Sequence, residues 1–181
     1  MVDNSFIRAF LLLFTVPLLG FTQVKESGPV IRNYGAVWPI ENPDYKTPLE
    51  EPLRVVFDIM NSPESHLEVN PSIETAARFL NMHAQAGVPT ENLHVALVVH
   101  NKASKDIIAN GFYRERFGVD NPNEALVKAL LEAGTQFIFC GQSSFSRDFP
   151  RSQTIEGIQF GLSAMTALLD LQNQGYRLIK F

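Results

Sequence analysis

Apolar and polar positions along the chain fall into short β-prone runs separated by stretches of helical period. Arg54 to Met60 reads RVVFDIM, a compact β-prone run. From Ser72 to Gln85, the residues Ile73, Ala76, Ala77, Phe79, Leu80 and Met82 recur at helical spacing, with Pro71 and Ser72 as a start and Gly87 as a stop. Leu93 to His100, LHVALVVH, is almost continuously apolar, as expected of a strand covered on both faces. Lys102 to Ala109 predicts a short helix that Gly111 interrupts, and Phe112 to Phe117 a further helical turn. Asn123 to Ala133 carries Leu126, Val127, Leu130 and Leu131 at helical spacing and stops at Gly134. Thr135 to Cys140, TQFIFC, and Ile155 to Phe160 predict two more strands. Ser163 to Asn173 predicts a helix ended by Gly175, and Tyr176 to Phe181 a last strand. Strands joined by connections of helical length favour a parallel sheet. The expected fold is therefore α/β, a three-layer sandwich around a largely parallel five-stranded sheet.

Two segments precede this pattern. Phe10 to Phe21, FLLLFTVPLLGF, is an uncharged apolar run behind Asp3 and Arg8. It falls short of the about 20 apolar residues a spanning helix needs, and its length and order suit a secretory signal over residues 1–23. A retained anchor and a buried N-terminal helix are the other readings. The signal reading places the chain in the periplasm or outside the cell, without stable membrane insertion after processing. Residues 24–52 follow, punctuated by Pro29, Pro39, Pro43, Pro48 and Pro52, and read as an arm. Its Tyr34, Val37, Trp38 and Ile40 suit packing over a helix or sheet edge. Residues 53–181 form the domain.

Composition narrows the chemistry. The 181 residues carry a formal net charge of −4, which argues against a nucleic-acid partner. A single cysteine excludes an internal disulfide and a multi-thiolate zinc site. His66, His83, His94 and His100 have no metal-ligand spacing, and HExxH, Walker and GxGxxG motifs are absent. No metal and no cofactor are expected.

Ligands of open parallel sheets meet the C-terminal ends of strands. Asp58 falls near the end of the first strand, His100 and Asn101 at the end of the second, and Cys140 at the end of the third. Gly141 permits a sharp turn after Cys140, and Gln142 and Ser143 open a candidate helix whose N-terminus would favour a thiolate. Arg147 and Arg151 add positive charge if the loop folds back. The competing reading of Cys140 is a small buried hydrophobe. His100 reads as a base for Cys140, an anion ligand or a strand-end histidine bonded to backbone. Asp58 reads as a turn cap or as the group that orients His100. Arg78 and Asn81 share a helix face and can bind a loop, a ligand or a neighbouring chain.

LHVALVVHNKA (Leu93 to Ala103), ALVKALLEAG (Ala125 to Gly134), TQFIFCGQS (Thr135 to Ser143) and LSAMTALLDLQNQGYRLIKF (Leu162 to Phe181) together resemble the DsrE/DsrF-like family. The resemblance spans roughly Leu53 to Phe181. It implies a compact α/β domain, assembly into homo-oligomers such as trimers or hexamers, and, in some members, sulfur carried as a cysteine persulfide. Cys140 resembles the position of their reactive cysteine. The Arg147-Asp148 step departs from the Arg-Gly pair of relay members. Together with the signal and the strand-end residues, the resemblance leads to an exported protein that binds a small thiol or sulfur species, with Cys140 as acceptor and Asp58, His100, Asn101, Gly141, Gln142 and Ser143 lining the site. The alternative is a noncatalytic binding or assembly module in which Cys140 is structural.

Overall fold

The computed structural model describes residues 24–180. The signal expected over 1–23 lies outside the described residues. Val55, Val56, Phe57 and Ile59 favour β1 (Leu53–Ile59), and Val95, Val98 and Val99 favour β2 (Leu93–Val99); the strands pair in parallel from Leu53↔Leu93 to Ile59↔Val99. β3 (Gln136–Cys140) joins β2, and β4 (Gln159–Gly161) joins β3. β5 (Arg177–Ile179) lies on the other side of β1. The sheet has five strands in the order β4-β3-β2-β1-β5, and every pairing is parallel.

The helices are α1 (Pro71–Gln85), α2 (Asn110–Phe117), α3 (Glu124–Glu132), α4 (Gly141–Arg147) and α5 (Ala164–Asn173). From β1 to β4 the chain steps across the sheet in one direction. It then reverses through α5 to reach β5 at the far edge. Right-handed crossovers turn that reversal into a change of face. Accordingly, Ile73, Leu80, Leu126 and Leu130 from α1 and α3 pack with Val55, Leu97 and Phe139 in one cluster. On the other face, Ala164 and Leu171 of α5 pack with Val56, Ala96, Val98 and Cys140. These are the three layers.

Three elements differ in detail from the sequence expectation. The short helix expected over 102–109 is a 3-10 helix over residues 101–107, and Gly111 lies inside α2 instead of interrupting a helix. Ile108 leaves the 3-10 helix to bridge Thr154, so the chain cannot continue winding there. The fourth strand begins at Gln159, not Ile155. Ile155 donates its N–H to Ile107, and Gly157 turns the chain at φ 95° before the strand starts.

The arm is folded against α1. Ile31 is buried, and Glu26 and Val37 form an antiparallel bridge that closes the intervening residues into a loop. Asn81 holds this loop: its Oδ1 accepts the Ile31 N–H at 2.8 Å, and its Nδ2 donates to the carbonyls of Ile31, Tyr34 and Gly35. Of the three partners open to Asn81 in the sequence, the structure supplies the loop.

Candidate functional site

The site begins with strand parity. Side chains alternate between faces, so Asp58, His100 and Cys140 point to the α5 side with Val56, Val98 and Ile138. β2 and β3 pair up to Val99↔Phe139. One step further, His100 and Cys140 occupy corresponding positions on neighbouring strands. His100 keeps extended backbone and donates its N–H to the Ile59 carbonyl at 2.9 Å, which prolongs the ladder. β1 and β5 extend in the same manner beyond Phe57↔Ile179, bringing Asp58 beside Lys180.

Asp58 gathers two partners. His100 Nε2 lies 2.6 Å from Asp58 Oδ1, and Lys180 Nζ lies 2.7 Å from Oδ2. Burial raises the Asp58 carboxyl, but the hydrogen bonds and positive charge of Lys180 and His100 outweigh it and hold the group below the usual carboxylate range. An ionised Asp58 can only accept, so Nε2 of His100 carries the hydrogen and Nδ1 is left for proton exchange. Asp58 thus orients His100 and does not cap a turn.

Cys140 is the N-cap residue of α4, and its side chain is 4% exposed. Burial pushes the thiol up. Although Cys140 Sγ makes no cap hydrogen bond by geometry, the nearby N–H groups of Ser143, Ala164 and Gln142 and the Ser143 hydroxyl more than offset that effect and set its pKa below the ordinary cysteine value. Three of these donors belong to the start of α4 and one to the start of α5. Ser163 caps α5, its Oγ accepting the Thr166 N–H at 3.1 Å.

This convergence follows from topology. After β3 the chain runs through α4 and Phe149, which packs in the α1-side cluster. After β4 it leaves through α5 on the opposite face. Connections that part to opposite faces create the crevice in which open α/β sheets bind ligands. Gly141 serves the same junction: a Cβ there would stand 2.8 Å from the Gly161 carbonyl oxygen, so only glycine lets the two helix starts approach.

The remaining candidates are close by. Ser143 Oγ also accepts the Asn101 N–H at 3.0 Å, and Asn101 adopts φ 53°. Arg147 folds back and donates to Asn101 Oδ1. Gln142 is exposed and donates from Nε2 to the Leu162 carbonyl at 3.4 Å. Arg151 instead lies over the Phe160 ring at 5.9 Å. His83 bonds the Phe79 carbonyl through Nδ1, His66 stacks on Phe117, and His94 sits at the opposite end of β2 from His100. Among the described residues, no group of His, Cys, Asp and Glu could hold a metal ion, and no helix is long and apolar enough to cross a membrane.

Sequence reasoning missed Lys180 and the Ala164 N–H. Lys180 was within reach of the strand-end rule, since it lies at the end of the last strand candidate. The Ala164 contribution had a weaker trace in Ser163 and Thr166, whose spacing suits a cap.

Fold and site define an α/β protein with a thiol at the switch point of a parallel sheet. The chain belongs to the DsrE/DsrF-like family, whose model matches residues 54–181. That is a family associated with sulfur relay. Two solved structures share the fold. A protein of unknown function, MTH1491, from Methanobacterium thermoautotrophicum aligns at TM-score 0.55 and 18% identity, covering 71% of this chain and 99% of that one. The ychN protein from E. coli aligns at TM-score 0.52 and 14% identity, again covering 71% of this chain and 99% of that one. No curated protein matches the chain.

Proposed function

We propose that this protein binds a small sulfur species at the β3 end and carries sulfur as a persulfide on Cys140. The observation that carries this reading is the convergence of N–H groups from α4 and α5, together with the Ser143 hydroxyl, on one thiol. In the transfer, the Cys140 thiolate attacks the outer sulfur of a small persulfide donor, R–S–SH. A new bond forms to Cys140 Sγ, the donor's S–S bond breaks, and R–S⁻ leaves with the electron pair. His100, oriented by Asp58 through Nε2, takes the Cys140 proton on Nδ1 as the thiolate forms and returns it to the leaving group, which departs as a thiol. The exchange is balanced without an external oxidant. The burial of Cys140 favours a small donor over a bulky one, since the thiol is 4% exposed.

That same burial supports a second reading, in which Cys140 is a structural residue packed against Val98, Ala164 and Leu171 in a noncatalytic module. Mass spectrometry of the intact protein after incubation with a persulfide donor separates the two. One added sulfur atom, absent from Cys140→Ser and removed by a reductant, is expected. An unmodified protein with a thiol that resists labelling in every assembly state supports the structural role.

The oligomer and the compartment complete the proposal. Phe145, Leu162, Met165 and Leu169 are 85%, 73%, 79% and 63% exposed. Met165 and Leu169 share the outer face of α5. So many large apolar side chains in one region mark an interaction surface, and we assign it to a second copy of this chain. The apolar run at 10–21 supports export of the chain.

A further inference from the structure

A cavity lies away from Cys140, on the α1 face of the sheet. Its volume is about 620 Å³, within the range of small-molecule sites. Phe57 and Ile179 form its floor at the β1–β5 edge, Phe79 and Met82 of α1 form a wall, and Val37 of the arm closes one side. The His83 ring packs on Phe79, with centroids 4.1 Å apart, and its Nδ1 is already bonded to the Phe79 carbonyl. The lining is thus mainly apolar, with the hydroxyls of Ser72 and Thr75 at its margin and one charged exception.

That exception is Arg78, which lines the same groove. Its two protein hydrogen bonds, to Thr75 Oγ1 and the Pro71 carbonyl, both run through Nη2. Nε and Nη1 therefore have no protein acceptor among the described residues. No carboxylate of the described residues forms an ion pair with Arg78, although Arg114 and Arg116 each have one. The nearby Glu74 accepts the Gly35 N–H instead. A guanidinium with open donors beside an apolar trough complements a planar anion attached to a hydrocarbon body.

We infer that this groove binds a free single-chain carboxylate, its apolar body over Phe57, Phe79 and Ile179 and its carboxylate on Arg78. The groove is separate from the sulfur site. Cys140 belongs to the α5-side cluster, whereas Phe57 belongs to the α1-side cluster.

Isothermal titration of the whole chain with dodecanoate, kept below micelle formation, tests the assignment. Saturable binding with one site per chain is expected. Dodecyltrimethylammonium, with the same chain and the opposite charge, should bind at least about tenfold more weakly. Arg78→Gln should weaken dodecanoate by about tenfold and leave the cation unaffected. Met82→Glu, at an exposed position one helical turn from Arg78, puts a competing carboxylate into the groove and should abolish dodecanoate binding. The variants' circular dichroism should match that of the parent. Equal affinity for the cation, no saturable binding, or an Arg78→Gln variant that binds normally overturns the proposal. So does a Met82→Glu variant that converts an oligomer into monomers, because the groove is then a subunit contact. Sedimentation with phosphatidylglycerol vesicles without dodecanoate uptake overturns it in favour of a membrane face.

Discussion

The thiol of Cys140 and the carboxylate of Asp58 are both buried, and both are nevertheless held toward their charged forms. For Cys140 the opposing agents are nearby N–H and O–H donors, most of them fixed in the backbone. The Ser143 hydroxyl is the one donor that a substitution can remove without touching the main chain. Titration by thiolate ultraviolet absorbance, which does not require reagent access, should place the parent's midpoint below the ordinary value of 9.0. Ser143→Ala should raise it, since the thiolate loses a donor while the thiol loses little. An unmoved midpoint removes the hydroxyl from the account. For Asp58 the agents are Lys180 and His100, and its folded-state pKa lies below 3.8. The stability it contributes is complete above the unfolded pKa and is lost as pH falls through the folded one. Urea unfolding should therefore show the parent losing stability below that value and Asp58→Asn losing less over the same interval. Cys140, His100 and Asp58 were legible in the sequence because strand ends in a parallel sheet converge. The strand-end rule also reached Lys180, but its pairing with Asp58 was not legible, because nothing local says that the last strand returns to the side of β1.

Among the elements, the arm and α1 depend on each other through one glycine. Gly35 sits at φ 67°, and a Cβ there would lie 2.5 Å from the Ala77 backbone carbonyl carbon. Gly35→Ala combines left-handed strain with a backbone clash and should cost about 2 kcal/mol or more, unless the arm lifts away. Either response frees the loop that Asn81 holds. Limited proteolysis should then cut within residues 26–37 faster than in the parent, and the urea midpoint should fall or the transition should broaden. Unchanged cleavage and midpoint would separate the arm from the stability of α1. Helical period made α1, α3 and α5 readable, because each buries one face. The 3-10 segment and the delayed β4 were not readable, since the Ile108–Thr154 bridge and the Ile155–Ile107 bond pair residues far apart in sequence. Propensity does not register contacts of that range.

For the whole molecule, the alternation of strands and helices carried the parallel sheet, but not the strand order that gives the site its location. The reversal after β4 puts α5 alone on its face, where Ala164 and Leu171 turn inward and Met165 and Leu169 remain outside. A lone helix with apolar residues on both sides leaves its outer apolar residues, here Met165 and Leu169, unburied in the isolated chain. If copies of the chain cover that outer face, static light scattering should give a multiple of the chain mass. Met165→Glu with Leu169→Glu should shift it to the monomer, because burying two carboxylates without partners costs several kcal/mol. The double variant should retain the parent's circular dichroism, as both positions are exposed within the chain. A parent that stays monomeric across working concentrations leaves the face without a copy to cover it, and assembly through α5 fails as an account of these residues. An oligomer untouched by the double variant places the contact elsewhere. Dissociation by the pair, with Met82→Glu leaving the oligomer intact, assigns the α5 face to assembly and leaves the α1 groove open to its ligand.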